Sequence, residues 1–134
     1  MIRFVGFTTF ALVGLSLLGC GSGGQKGPEK TFPVKGTVKL DGKPMPDGEI
    51  AFSTPGNPPK ISPIKDGAFT AEAYEGKNRV EISAYKEGPP STTDPNEKTK
   101  INTVDAQFNF ESKLTADVTA QGTKEFSFEV RSKR

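Results

Sequence analysis

Few side chains in this sequence could do covalent or acid–base chemistry: one thiol, Cys20, two phenols, Tyr74 and Tyr85, and three carboxylates at Gly-containing turns, Asp41, Asp47 and Asp66. The 134 residues include no His. That removes Ser or Cys triads with a His base, His-ligated zinc and imidazole proton transfer, which carry most hydrolytic chemistry. A calcium loop places its carboxylates within a few positions of one another, whereas Asp41, Asp47 and Asp66 are scattered and each directly precedes a Gly, so they read as turn residues. No catalytic residue, metal ligand or cofactor is expected. Tyr74 and Tyr85 fall on outward phases of neighbouring expected strands. They read first as a cross-strand pair covering the sheet, and as a candidate binding site they offer an aromatic platform for a sugar or a hydrophobic partner. With 18 Lys plus Arg against 16 Asp plus Glu, the net charge of +2 lacks the basic excess of a nucleic-acid binder, so no nucleic-acid partner is expected.

Cys20 closes an N-terminal segment built of one cation, Arg3, an apolar run over residues 4–18, and small Gly19. This is the order of an export signal. The run is 15 residues long and interrupted by Gly6, Thr8, Thr9, Gly14 and Ser16, whereas a spanning helix takes roughly 20 apolar residues. Leu17-Leu18-Gly19-Cys20 resembles the bacterial lipobox, in which the thiol is joined to diacylglycerol and a signal peptidase cuts between Gly19 and Cys20. No second cysteine exists to claim the sulfur. The expected anchor is therefore acyl chains such as palmitate on Cys20, each buried methylene contributing about 0.8 kcal/mol. The resemblance implies an exported protein held in the cell envelope by membrane lipid. Gly21 stands where inner-membrane lipoproteins carry Asp, which favours the outer membrane in a cell with two. The alternatives for the same stretch are an uncleaved signal anchor and an ordinary secretory signal.

The elements that would position the remaining residues follow period two from Phe32 onward. Residues 1–19 read as signal peptide, 20–31 as lipidated Cys and a Gly-rich flexible tether, 32–131 as one β domain, and 132–134 as a basic tail. Val34, Gly36, Val38 and Leu40 alternate with Lys35, Thr37 and Lys39, and Asp41-Gly42 ends that strand. Further strands are expected around Ile50 and Phe52, Ile61–Lys65, Phe69–Ala73, Val80–Ala84, Leu114–Ala120 and Phe126–Val130. Asp66-Gly67 marks a tight hairpin. Pro63 lacks a backbone donor, which puts its strand at a sheet edge. The last two strands are expected to pair through a turn at Gln121-Gly122-Thr123. Seven short alternating strands in about 100 residues are the footprint of an antiparallel β-sandwich.

One connection is out of scale: between Lys86 and Thr103 the chain has three Pro and one aliphatic residue, Ile101. Its composition points to a solvated, disordered loop, with an interaction loop as the other reading.

Residues Val34-Lys35-Gly36-Thr37-Val38-Lys39-Leu40-Asp41-Gly42-Lys43-Pro44, then Gly48-Glu49-Ile50-Ala51-Phe52 and Asp66-Gly67-Ala68-Phe69, resemble the opening of carboxypeptidase regulatory-like, or transthyretin-like, domains. Residues 75–82, Phe108-Asn109 and Ser112-Lys113-Leu114 match the later segments of small bacterial lipoproteins of that type. The resemblance implies a prealbumin-like sandwich, transthyretin-like or Ig-like, with no active site of its own. The expected function is a noncatalytic envelope lipoprotein whose sandwich is a structural or interaction module, with an envelope protein or glycan as partner. The alternative is a carbohydrate- or peptide-binding surface module using the outward aromatics or the 86–103 loop.

Overall fold

The computed structural model describes residues 29–122 and 124–134. The signal segment, the Gly19–Cys20 cleavage site and most of the tether lie outside the described residues. Ten strands are described: β1 (Thr31–Leu40), β2 (Lys43–Pro44), β3 (Asp47–Ser53), β4 (Lys60–Lys65), β5 (Ala68–Tyr74), β6 (Gly76–Ser83), β7 (Tyr85–Pro90), β8 (Lys98–Asn102), β9 (Thr115–Val118) and β10 (Glu125–Val130). A single 3-10 turn, Ala106–Phe108, interrupts them, and no α-helix occurs among the described residues. The protein is all-β.

Alternation decides which face of each strand turns inward. Val34 and Val38 of β1, Ile50 and Phe52 of β3, Phe69, Ala71 and Ala73 of β5, and Val80 and Ile82 of β6 are all buried. The charged and polar residues between them stay in water or at the rim, which is the half-buried pattern of an antiparallel sheet. Asp66-Gly67 forms the expected tight hairpin and Asp41-Gly42, expected to end β1, forms another, whereas Asp47-Gly48, read as a turn, begins β3 with neither residue at positive φ. Asp41 and Asp66 have φ of 52° and 51°, and the Gly after each has φ of 80° and 75°. Two successive residues at positive φ make the turn whose twist matches the flanking strands.

The main sheet runs in the order β10-β1-β5-β4-β3-β6-β9, with β2 on the end of β1, while β7 and β8 form a separate two-stranded hairpin. Strand β10 is parallel to β1 and the other pairings are antiparallel. The two end strands, β9 and β10, are consecutive in the chain, and this forces the sheet to curl. Laid flat, the spacings across the main sheet would hold β9 and β10 about 29 Å apart. The chain between Val118 and Glu125 reaches at most about 25 Å. The result is a half-barrel, closed on the inside by Phe52, Phe69 and Phe128. Their rings form a chain, with centroids 5.9 Å apart for Phe52–Phe69 and 6.4 Å for Phe69–Phe128.

The structure corrects several expectations. There are ten strands where the sequence suggested seven, because the 86–103 segment is a hairpin, β7–β8, and Lys43–Pro44 adds a short strand. The arm has no buried side, so it leaves no period-two signal. Its order comes from local bonds instead: Ser91 N–H donates to the Glu97 carbonyl, Thr99 Oγ1 donates to the Pro89 carbonyl, and Lys98 pairs with Glu87. Strands β9 and β10 do not pair with each other; they lie at opposite ends of the sheet. Strand β4 is not an edge strand, but only Ile64 and Lys65 pair with β5, so Pro63 sits where that ladder has already parted. The tail is held as well: Ser132 bridges to Val104 and Lys133 N–H donates to the Thr103 carbonyl.

Candidate functional site

Four polar side chains, Asn78, Arg79, Asn109 and Ser112, are engaged in holding the backbone. Asn78, fully buried, accepts from Tyr74 N–H at 3.2 Å and donates to the Tyr74 and Gly76 carbonyls at 2.7 and 3.0 Å. It thereby fixes the β5–β6 corner. Asn109 Nδ2 donates to the Ile82 carbonyl and to Ser83 Oγ, and Ser112 Oγ donates to the Val80 carbonyl. Arg79 binds the Ser112 and Phe110 carbonyls at 3.0 and 2.7 Å and pairs with Glu81 at 2.8 Å. Together these side chains strap the segment before β9 onto β6. In the sequence, Asn78, Asn109 and Ser112 stand out only as members of the segments that carry the resemblance; an Asn on the inward phase of β6, two residues before Val80, is the signal for the role of Asn78.

Of the three Asp residues, Asp41 has the one distinctive environment. Its carboxylate accepts from Ser132 N–H at 3.1 Å and Ser132 Oγ at 2.7 Å. These bonds, the side-chain one foremost, hold its pKa below the ordinary value, and the charge of Arg131 adds to the effect. Among the described residues no three His, Cys, Asp or Glu side chains converge as a metal site.

The two tyrosines are separated by the fold. Tyr74 is 5% exposed, with its hydroxyl donating to the Pro58 carbonyl at 2.8 Å and Lys60 Nζ lying 5.5 Å from its ring centroid. The expected outward phase fails there because the 54–59 loop folds over the end of β5, so Ala73 and Tyr74 are both covered. Tyr85 is 50% exposed. It stands at the root of the arm, and its strand pairs with β8, not with β5.

The two outer faces of the curled sheet differ in chemistry. On β1 and β10, Lys35 stands beside Glu125, Thr37 beside Ser127 and Lys39 beside Glu129, an exposed polar face in paired rows. On β4, β3 and β6 the rows are Ile61–Ala51–Glu81 and Pro63–Glu49–Ser83. Ile61 is 61% exposed. Two adjoining recesses of about 330 and 210 Å³ share Glu49 and Tyr85. The first continues between Asp47 and Pro63 and the arm residues Lys86 and Lys100. The second runs over Ala51 and Ile61 toward Asn109. Phe110 and Ile101 are the other exposed large apolar residues, and neither lines these recesses. The Phe110 carbonyl accepts from Arg79, and Ile101 pairs with Lys86 in the arm. Ile61 and Pro63 thus expose apolar surface on this face, whereas the β1–β10 rows from Lys35 to Lys39 are polar.

No protein-family model, curated protein or solved structure matches the chain.

Proposed function

We propose that this protein is a noncatalytic cell-envelope lipoprotein, joined to membrane lipid through an acylated Cys20, whose β domain is a structural or interaction module. The observation that carries the reading is the sequence Leu17-Leu18-Gly19-Cys20 after a short apolar run, followed by a Gly-rich tether and a β domain. The engagement of Asn78, Arg79, Asn109 and Ser112 in backbone bonds supports a domain built for rigidity rather than for reaction. We read the curled sheet as a transthyretin-like sandwich. In support, only two residue pairs join β4 to β5, so the halves β10-β1-β5 and β4-β3-β6-β9 can be taken as two facing sheets over one core. The tether enters at the start of β1, and β6 runs in the same direction as β1 through the sheet. The arm that follows β6 therefore leaves from the end of the domain opposite the anchor.

Metabolic labelling with an alkyne fatty acid tests the anchor. Wild type takes up label and fractionates with membranes, to the outer membrane where the cell has two. Cys20→Ser leaves the protein unlabelled and either unprocessed or soluble; label retained in Cys20→Ser overturns the reading.

A second reading, a carbohydrate- or peptide-binding surface module, is favoured by one observation: Tyr85 is half exposed beside the groove that contains Glu49.

A further inference from the structure

We infer that the groove on the outer face of β3, β4 and β6 holds a neutral saccharide chain, with Tyr85 as the stacking platform and Glu49 as the principal hydrogen-bond acceptor. This rests on the binding-module reading and chooses between its two ligand classes.

The backbone argues first. Strand β3, the floor of the groove, is paired with β4 on one side and with β6 on the other, and the side of β4 left open over residues 60–63 faces away from β3. The N–H and C=O groups of β3 are engaged in these ladders, so an extended peptide cannot add as a strand along the groove floor, the mode in which main-chain bonds supply affinity. Recognition must come from side chains. A helix would need a continuous apolar stripe, and here the apolar residues Ile61, Ala51 and Pro63 are interrupted by Glu49 and Glu81.

The charges argue second. Glu81 is paired with Arg79, and Glu87 with Lys98. Of the other carboxylates lining the groove, Asp47 and Glu49 on the sheet carry no ion pair among the described residues, and Lys86 and Lys100 of the arm line the same recess. Two carboxylates and two ammonium groups sum to no net charge, which gives neither a polyanion nor a polycation a net attraction. A ligand rich in neutral hydroxyls meets acceptors on one wall and donors on the other. Sugar rings present an apolar face of C–H groups as well as hydroxyls, and an exposed amphipathic ring such as that of Tyr85 suits both. The rows of the floor, Ile61–Ala51–Glu81 and Pro63–Glu49–Ser83, are half apolar and half polar, which matches the mixed surface of a sugar.

The groove is also elongated. From the arm it passes Tyr85 and Glu49 and continues over Ala51 to Ile61, two strand rows about 7 Å apart plus the depth of the arm. Several linked sugars fit that run better than one.

The test is isothermal titration calorimetry of the full chain, purified in a detergent without a sugar headgroup, with the neutral β-1,4-linked probes hexa-N-acetylchitohexaose and cellohexaose. The expected result is saturable binding of at least one hexasaccharide with Kd below about 1 mM. Tyr85→Ala then raises Kd at least about tenfold and Glu49→Gln several-fold, with unchanged melting temperatures. Binding that Tyr85→Ala leaves intact overturns the inference. So does the absence of binding by both probes at about 1 mM. A photoreactive side chain at Ile61 separates the two possible failures. Capture of one defined protein in cells, with no saccharide binding, sinks the saccharide and keeps the interaction module. Neither capture nor saccharide binding sinks both.

Discussion

The carboxylate of Asp41 receives two hydrogen bonds from Ser132, from its N–H at 3.1 Å and its Oγ at 2.7 Å, and so joins the first hairpin turn to the C-terminal end of the chain. These bonds favour the charged form, so the folded pKa of Asp41 lies below its unfolded value of about 3.8. The bond therefore contributes stability above pH 3.8, and that contribution is lost as pH falls through the lower folded pKa. In thermal melts, Asp41→Asn should lower the melting temperature at pH 7 and differ less and less from wild type as the pH drops below about 4. A difference constant down to pH 2 would mean that the carboxylate's charge has no part in the tie. Asn tolerates the positive φ of this position, so the turn itself is preserved.

Gly36 is required by the parallel pairing of β1 with β10. A Cβ there would stand 1.8 Å from the Phe126 carbonyl oxygen and 2.9 Å from the Phe69 ring. Gly36→Ala must push β10 away, and we expect a loss of about 1–3 kcal/mol or more in urea denaturation. A loss under about 0.5 kcal/mol, the size of an ordinary surface change, would contradict the register of β1 and β10.

Asn78 satisfies both backbone groups of Tyr74 in a site closed to water. Asn78→Ala leaves them without partners, which should lower stability by about 1–3 kcal/mol. Asn78→Asp should lower it further at neutral pH, since a carboxylate cannot donate to the Tyr74 and Gly76 carbonyls and brings a charge into the interior. Equal stability of the Ala and Asp variants would contradict the bonding pattern.

Replacing residues 88–100 by a short Gly-Ser turn should leave the melting temperature nearly unchanged. Most of the arm's side chains are exposed, while Ala84 and Val104, which flank it, remain in the core. Halving a loop alters closure entropy by only about 0.6 kcal/mol. A large drop in melting temperature would mean that the arm braces the sheet.

The parts of this fold legible in the sequence are those set by local conformation and a two-sided environment. Asp41-Gly42 and Asp66-Gly67 announce their hairpins because few residue pairs tolerate two positive φ values in succession. Val34, Val38, Val80 and Ile82 announce their strands because one side is buried and the other wet. Pairing partners are another matter: nothing in the alternation of Phe126, Phe128 and Val130 says that β10 runs parallel to β1 rather than against β9. The arm was illegible because both its sides face water. Met45 and Val104, fully buried, lie outside any alternating run and are enclosed only by the curl of the sheet. Of the candidate site, the exposure of Tyr85 was legible and that of Tyr74 was not, since a loop distant in sequence covers it. The place of Glu49 between Pro63 and Ser83 exists only in the register of three strands.

The central claim, a lipid-tethered domain that meets its partner through the outer face of β4, β3 and β6, is tested most directly by photocrosslinking in living cells. A photoreactive side chain is placed at Ile61 on that face, or at Thr37 on the polar face, in wild type and in Cys20→Ser. The account predicts defined crosslinked products from position 61, none from position 37, and loss of the products from position 61 when Cys20 is replaced. Equal products from both positions, or undiminished products in Cys20→Ser, would contradict it.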